Sequence, residues 1–577
     1  MYARYFAFSV LSIVALVKAF SPNLRQTASP HQGFRSEAVS STEESTASAR
    51  QEDQPWILNP KYVKDYDQDR DWGFVYSGVP KEASASYPVL DIEGSIPKDL
   101  YGTTYWKIGP GKFERNGKQY AHVLDGDGFV VRLHVDKSGH VQYTGRFVET
   151  EYFRHERDTN EIQYRNVFGT QRKGGPLGNA FDLTLKNVAN TNILAWGDRL
   201  FALWEAGRPY ELDPVTLETL PLATDGPFAE LGDPDCNLRG VSLDSGGPID
   251  EMVKVGKFFT AHPHIVGNDT LVAFTAAQNP QKKSIDMEFL EYDQQWNIKR
   301  RRKYPVSGAG AAPHDFAVGR DFYGFIENKI YVDSLPYVLG LKGPAQVMQL
   351  QIKQNATLYL VPRTSDEKAV TVDIAPYFAI HNLARLEENG DFVTMFSNGW
   401  DLQDPKFYPP HEDSVPFLGS WSGQYPDFDV VTPAKFFKTT VNRKTGKLVS
   451  HDEIVPGMVM EFQTQDELEP EFAYISLSTY GGESLPGVGL ARVNTRTKTA
   501  EHWWAEPKIF TGEVLSTRKQ DGKRGSWVIG LIYDAWARRT SLAILDSERF
   551  AEGPVARIHL PHHISYGLHS AFVRDSS

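Results

Sequence analysis

The sequence predicts an all-β fold built as a seven-bladed β-propeller, and three observations carry that prediction. Helical periodicity is scarce from Trp56 onward, where short alternating or wholly apolar runs are separated by turn chemistry. Glycine (47 residues), proline (35) and aromatic side chains (12%) are abundant, as many short strands joined by tight turns require. A motif of an apolar residue, Asp or Asn, two or three polar residues and a strand recurs as V-D-K-S-G-H-V, L-D-P-V-T-L-E, V-N-R-K-T-G-K-L, V-N-T-R-T-K-T-A and L-D-S-E-R-F. Its last three copies begin at Val441, Val493 and Leu545, and both intervals are 52 residues, slightly long for one four-stranded blade. At that spacing roughly 520 residues supply seven blades with inserted loops.

Taken in order, the chain begins with an address. Residues 5–17, YFAFSVLSIVALV, form an apolar run after Arg4 that is short for a membrane span and suits a signal-peptide core. Val17 and Ala19 provide the small residues for cleavage before Phe20. Residues 20–55 are rich in Ser, Thr, Gln and Ala and too poor in apolar side chains to fold. Expected boundaries are therefore a signal peptide over 1–19, a transit-like segment over 20–55 and one propeller domain over 56–577. The pairing resembles the bipartite plastid presequence of algae with secondary plastids; ordinary secretion is the alternative. The single cysteine, Cys236, excludes an internal disulfide framework and fits a reducing compartment. A formal net charge of −12, with no basic run, argues against a nucleic-acid partner.

Strands are expected at 129–135, 199–204, 271–276, 392–396, 472–478, 487–493 and 527–533. Turn signals lie at Asp125-Gly126, Ser138-Gly139, Asn389-Gly390, Thr445-Gly446 and Asp521-Gly522. A propeller matters for function because its axis gathers segments that are far apart in sequence.

Four histidines stand in distinctive settings: His262 in F-F-T-A-H-P-H-I-V-G, His314 in A-A-P-H-D-F-A-V, His381 in Y-F-A-I-H-N-L-A-R-L and His569 in I-S-Y-G-L-H-S-A-F-V. Their gaps of 52, 67 and 188 residues fit no local metal motif, so a site uniting them is global, with each ligand on a different blade. Three glutamates occupy strand-like, mostly apolar contexts where an unpartnered carboxylate is costly: Glu205, Glu461 and Glu513. A metal-bound imidazole needs its other ring N–H held by an acceptor, and three carboxylates also offset a divalent charge. All-imidazole ligation suits Fe, Cu, Zn or Ni. His264, close to His262, is read as structural.

Three further stretches complete the pattern: Y-W-K-I-G-P-G-K-F-E-R (105–115), H-V-L-D-G-D-G-F-V (122–130) and the run from Asn187 to Pro214 containing A-N-T-N. With the histidine segments in this order, the chain from about residue 100 onward resembles the carotenoid cleavage oxygenases. The resemblance implies a seven-bladed propeller, with loops and short helices as a dome over one axial ferrous ion per chain. It makes His262, His314, His381 and His569 the ligands. Glu205, Glu461 and Glu513 then hold the second, third and fourth histidines, and Thr191 lies beside an open coordination position. E-F-Q-T after Glu461 and the pair Ala384-Arg385 depart from the family pattern and put substrate identity, not ligation, in doubt.

No Ser-His-Asp set, phosphate-cradling loop or nicotinamide fingerprint is apparent. The expected reaction is iron-dependent, with dioxygen as co-substrate, and splits a double bond of a carotenoid or apocarotenoid into two carbonyl products. Cleavage of a stilbene-like compound or an isomerising hydrolysis of a retinoid ester is the same-fold alternative, and a catalytically silent binding scaffold the alternative from another class. The family is often monotopic, and the apolar stretch Ser334–Gly343 is the expected contact with a membrane surface. Oligomeric state is left open.

Overall fold

The computed structural model describes residues 67–575, apart from 222–227, 229–230, 232–256, 268, 280–281, 283, 425, 429, 481–485 and 521–523. The presequence readings, Cys236 and Asp521-Gly522 fall outside the described residues.

Seven antiparallel sheets follow one another along the chain and form the blades of the propeller. The first contains Thr103–Lys112, Asp127–Val135 and Val141–Phe147, and the second runs from Asn192–Trp196 to Tyr210–Leu212. The third spans Phe258–Phe259 to Ile298–Ser307, the fourth Ala317–Val318 to Val370–Asp373, and the fifth Tyr377–Asn382 to Lys447–Glu453. The sixth runs from Met458–Gln465 to Thr499–Trp504 and the seventh from Ile509–Arg518 to Pro554–His559. Two exchanges close the ring. The C-terminal strand Ser570–Arg574 pairs with Thr103–Lys112 at one edge of the first sheet, while Ile92–Gly94 pairs with Pro554–His559 at the outer edge of the seventh.

The repeat seen in the sequence has a local physical cause. At each of its copies the Asp or Asn side chain accepts backbone N–H groups two or more residues on, as an Asx turn. Asp136 Oδ1 accepts from Ser138 and His140, Asp213 Oδ1 from Val215 and Thr216, Asn442 Oδ1 from Lys444 and Thr445, and Asn494 Oδ1 from Arg496 and Thr497. Asp546 instead caps the short helical turn Ser547–Glu552. The motif therefore marks the turn after a blade strand, which is why it keeps a blade's period. Asp125-Gly126 is not a hairpin: Asp125 is buried in a short 3-10 turn and its carboxylate holds the N–H groups of Phe168 and Thr170.

Between blades the inward side chains interleave into apolar cores. Phe274, Phe289, Phe316, Tyr323 and Phe325 join the third and fourth blades, with Phe289 and Tyr323 stacked at 4.4 Å. Each such ring contributes about 1.5–3 kcal/mol by leaving water. The C-terminal stretch threads inward beside the first blade, where Leu568 N donates to Ile108 O and Ile108 N to His569 O. Glycine is required there, because a Cβ on Gly109 would meet the Gly567 Cα at 2.6 Å.

A buried ionic group anchors the loop leading into the second blade. Lys186 Nζ lies 2.5 Å from Asp127 and 2.7 Å from Glu156, and Arg115 Nη2 lies 2.8 Å from Asp127. Burial opposes charge on Lys186, but Asp127, Tyr120 and Glu156 around it more than compensate and raise its pKa. Replacing Lys186 by Met leaves Asp127 and Glu156 to share the single guanidinium of Arg115, and denaturant unfolding of Lys186→Met should show a loss of about 3 kcal/mol.

Candidate metal centre

Each predicted ligand is delivered at the edge of a blade. His262 follows the edge strand Phe258–Phe259, and its backbone N–H donates to Thr260 Oγ1 at 3.0 Å. His314 precedes the edge strand Ala317–Val318, His381 lies within Tyr377–Asn382, and His569 immediately precedes Ser570–Arg574. Glu461 and Glu513 sit on the edge strands of the sixth and seventh blades, and Glu205 lies just past Arg199–Leu203 in the second. Strand register shifts at three of these residues: between Ala379 and Asn382, between Glu461 and Thr464, and between Thr511 and Val514. Such bulges re-aim a side chain that regular pleating would turn away.

The four rings converge. Ring centroids are 4.3 Å apart for His262–His314, 4.7 Å for His262–His569, 5.0 Å for His314–His381 and 5.1 Å for His381–His569. Donor nitrogens of His262, His314 and His381 all lie within 4.8 Å of one another. Each of the three glutamates meets one ring: Glu205 contacts His314 Nδ1, Glu461 Oε2 lies 2.9 Å from His381 Nδ1, and Glu513 Oε1 lies 2.7 Å from His569 Nδ1. A carboxylate acceptor places the proton on Nδ1 and leaves Nε2 with a lone pair. His262 has no carboxylate bond; its Nε2 is buried without a hydrogen-bond partner, 3.9 Å from Glu205 Oε1.

This donor set fits a metal ion. His314 and His381 face each other Nε2 to Nε2 at 3.2 Å. Two lone pairs at that distance repel unless a proton or a metal ion lies between them. Neighbouring nitrogens bound at about 2.1 Å to one ion sit about 3 Å apart. His264 points elsewhere, with Nε2 at 3.0 Å from Asp315 Oδ1 and 2.7 Å from Phe316 O. Thr191 faces the cavity described below, and its hydroxyl donates to Asn190 Oδ1 at 3.2 Å. Asn190 is itself fixed by the carbonyls of Leu124 and Gly126.

The electrostatics are uneven around the cluster. Burial, together with the neighbouring imidazoles, pushes His262 well below the usual range. Burial also lowers His569, although Glu513 opposes it. At His381 burial is overcome by Glu461, helped by Asp315 and Glu513, and the pKa rises to about 9. Burial acts against the charge of Glu513, yet His569 and Lys107 hold its pKa down at about 2.

A cavity of about 920 Å³ opens onto the cluster. Its walls are mostly apolar, including Phe378, Trp400, Phe417 and Phe462, and no Lys or Arg is among the described residues that line it. Among the described residues the carboxylates in the lining are Glu205 and Glu461, both committed to imidazoles. Trp72 and Tyr76, from the segment before the first blade, also line it. Sequence reasoning missed them, although the aromatic run W-G-F-V-Y (72–76) was a usable signal.

A propeller whose edge strands hold carboxylate-backed imidazoles beneath an apolar cavity defines a metalloenzyme for apolar substrates. The family described as retinal pigment epithelial membrane protein matches residues 77–574, and the chain belongs to that family, the carotenoid cleavage oxygenases, as a cleavage dioxygenase. An apocarotenoid-15,15'-oxygenase of Synechocystis sp. is 30% identical, over 88% of this chain and 96% of that one. A resveratrol cleavage oxygenase of Botryotinia fuckeliana is 25% identical, over 86% and 85%. A solved structure of cobalt-substituted Synechocystis apocarotenoid oxygenase superposes with a TM-score of 0.74 at 28% identity, covering 88% of this chain and 99% of that one.

Metal and proton compete for His381. Its folded pKa of about 9 lies above the unfolded value near 6.5. Protonation therefore stabilises the metal-free fold fully below about pH 6.5, and that contribution is lost as the pH rises to about 9. Metal affinity runs the other way. Titration of metal-free protein with Co(II) should show affinity climbing by up to about tenfold per pH unit in this window and levelling above it.

Proposed function

We propose that the chain uses one ferrous ion, held by His262, His314, His381 and His569, to cleave a carbon–carbon double bond of a carotenoid or apocarotenoid with dioxygen. The observation that carries this reading is the cavity: apolar, free of cationic side chains in its lining and open to the imidazole cluster. A conjugated hydrocarbon chain needs walls of that kind and no charged partner.

Bound iron supplies the binding and activation of dioxygen. The chain contributes position. Phe462 lies 5.5 Å from the His381 ring and 5.7 Å from that of His569, so it forms the wall where the polyene passes the donor set. Glu205, Glu461 and Glu513 keep the Nδ1 protons in place, so the rings remain neutral donors throughout. Thr191 would add a small, hydrogen-bonded side chain to the cavity wall on the dioxygen side. With Glu205 and Glu461 committed, no carboxylate among the described lining residues is free to act as a general base, which suits a reaction that moves no proton on the substrate.

The substrate is a membrane solute, and the surface carries a matching patch. Leu177, Phe181, Leu335 and Leu341 are 79%, 70%, 61% and 55% exposed, and exposed Lys173 and Lys342 accompany them. Phe181 N donates to Val338 O at 2.8 Å, tying the two short helical segments of the patch together. No helix among the described residues is long and apolar enough to cross a bilayer, so contact is by this face lying on the surface. The chain next passes through Ala345, Met348 and Leu350, which line the cavity. Residues 1–55 carry the plastid-targeting reading, tested by fusing them to a fluorescent protein in an algal host.

Protein reconstituted anaerobically with ferrous iron and given oxygen and a carotenoid panel should yield aldehyde products carrying label from ¹⁸O₂. His381→Ala should lower turnover by more than about 100-fold. Turnover of stilbenes but not of carotenoids would overturn the substrate class and leave the metal site standing. The double variant Leu335→Asp, Leu341→Asp should lose most of its co-sedimentation with anionic liposomes while retaining turnover of detergent-dispersed substrate.

A further inference from the structure

One buried carboxylate near the centre stands behind no single ring. Asp315 is 4% exposed and follows His314 directly in the chain. Its Oδ1 accepts from Phe316 N at 2.7 Å and faces His264 Nε2 at 3.0 Å, while its Oδ2 accepts from Asn382 N at 2.6 Å. These partners belong to three ligand segments. His264 lies two residues after His262 with Pro263 between them, and Asn382 immediately follows His381.

We propose that Asp315 and His264 form a positioning pair that sets the mutual spacing of His262, His314 and His381. This inference rests on the metal-site reading above. Three blades contribute the three segments, and no backbone ladder joins the strand His264–Val266 to Tyr377–Asn382; the carboxylate does so through side-chain and backbone hydrogen bonds. The His264 Nε2 faces two acceptors, Asp315 Oδ1 and Phe316 O, so it carries a proton and donates. Pro263 has a fixed φ and makes the link from His264 back to His262 stiff. On the other side the tie continues, with Val318 N donating to Ala384 O and Leu386 N to Val318 O. The strand register slips between Ala379 and Asn382, so the ladder alone does not fix the height of His381. The Asp315–Asn382 bond supplies the missing constraint, and errors of about 1 Å in such a constellation are costly.

The side chains dictate which substitutions matter. Asp315→Asn must turn its amide NH₂ either toward the Asn382 N–H or toward the Phe316 N–H and His264 Nε2 together. His264→Ala removes the donor altogether, whereas His264→Gln retains an N–H at nearly the same reach. The experiment titrates metal-free, full-length protein with Co(II), following the visible absorption of the bound ion, with the melting temperature of each metal-free protein in parallel. Asp315→Asn and His264→Ala should weaken Co(II) binding by about 10–100-fold and alter the spectrum, with His264→Gln staying within about threefold of the unaltered chain. A role confined to holding the fold predicts lower metal-free melting temperatures with unaltered Co(II) affinity and spectrum in the folded protein, and that result overturns the proposal. If Asp315→Asn does not fold, the contrast between His264→Ala and His264→Gln decides alone. Absence of Co(II) binding by the unaltered chain overturns the metal site and this inference together; equal binding by all four proteins overturns this inference only.

Discussion

The hydrogen bond from imidazole Nδ1 to carboxylate is the interaction on which the rest of the structure depends. It selects one tautomer, and so decides which nitrogen of each ring keeps its lone pair. In each case the acceptor comes from a different blade: Glu205 of the second meets His314 before the fourth, Glu461 of the sixth meets His381 of the fifth, and Glu513 of the seventh meets His569 beside the first. Only a closed ring presents all three pairings at once. The two terminal strand exchanges that close it are therefore part of the site, and the last of them begins one residue after His569.

Regular strands do not deliver this geometry unaided. A pleated strand sends alternate side chains to opposite faces, whereas an axial site needs a side chain aimed off the edge of the sheet. Bulges at His381, Glu461 and Glu513 resolve that conflict, and Phe462, beside one of them, adopts a positive φ of 58°. A bulge loosens register where register matters most, and bonds from outside the strand then have to restore it. Lys107 is one such element. Its ammonium donates to Leu568 O at 2.8 Å and lies 3.6 Å from Glu513, tying the last ligand's backbone to its carboxylate.

Much of this was legible in the sequence because it rests on side-chain identity at fixed places. The Asx turns produced the 52-residue period, and the four histidines and three glutamates stood out because a polar residue in an apolar run needs a reason. What was not legible depends on relations between distant segments. Asp315 reads as an ordinary acidic residue after a histidine, and its value lies in reaching Asn382 and His264 across blade boundaries. His264 was read as structural, which describes its separation from the cluster but not the ligand segments that it joins. Trp72 and Tyr76 precede the first blade, and the aromatic run that holds them marks a buried segment without saying that it lines a cavity. The bulges leave no composition signal because any residue can occupy them.

The charge of the site explains why its cavity can remain apolar. Three carboxylates lie close to the donor set, so a divalent ion bound there would not leave the centre electropositive. A metal site that carried excess positive charge would attract anions and water into the cavity. Here Glu205, Glu461 and Glu513 would balance a bound divalent ion together with the Lys107 ammonium, and no Lys or Arg lies among the described residues of the lining. The compensation is local: Glu513 stays ionised despite burial because His569 and Lys107 lie beside it, and Glu461 does so because His381 is adjacent. The walls are therefore free to be chosen for shape alone. For the long polyene proposed above as substrate, shape is what remains to decide which double bond stops beside the imidazoles.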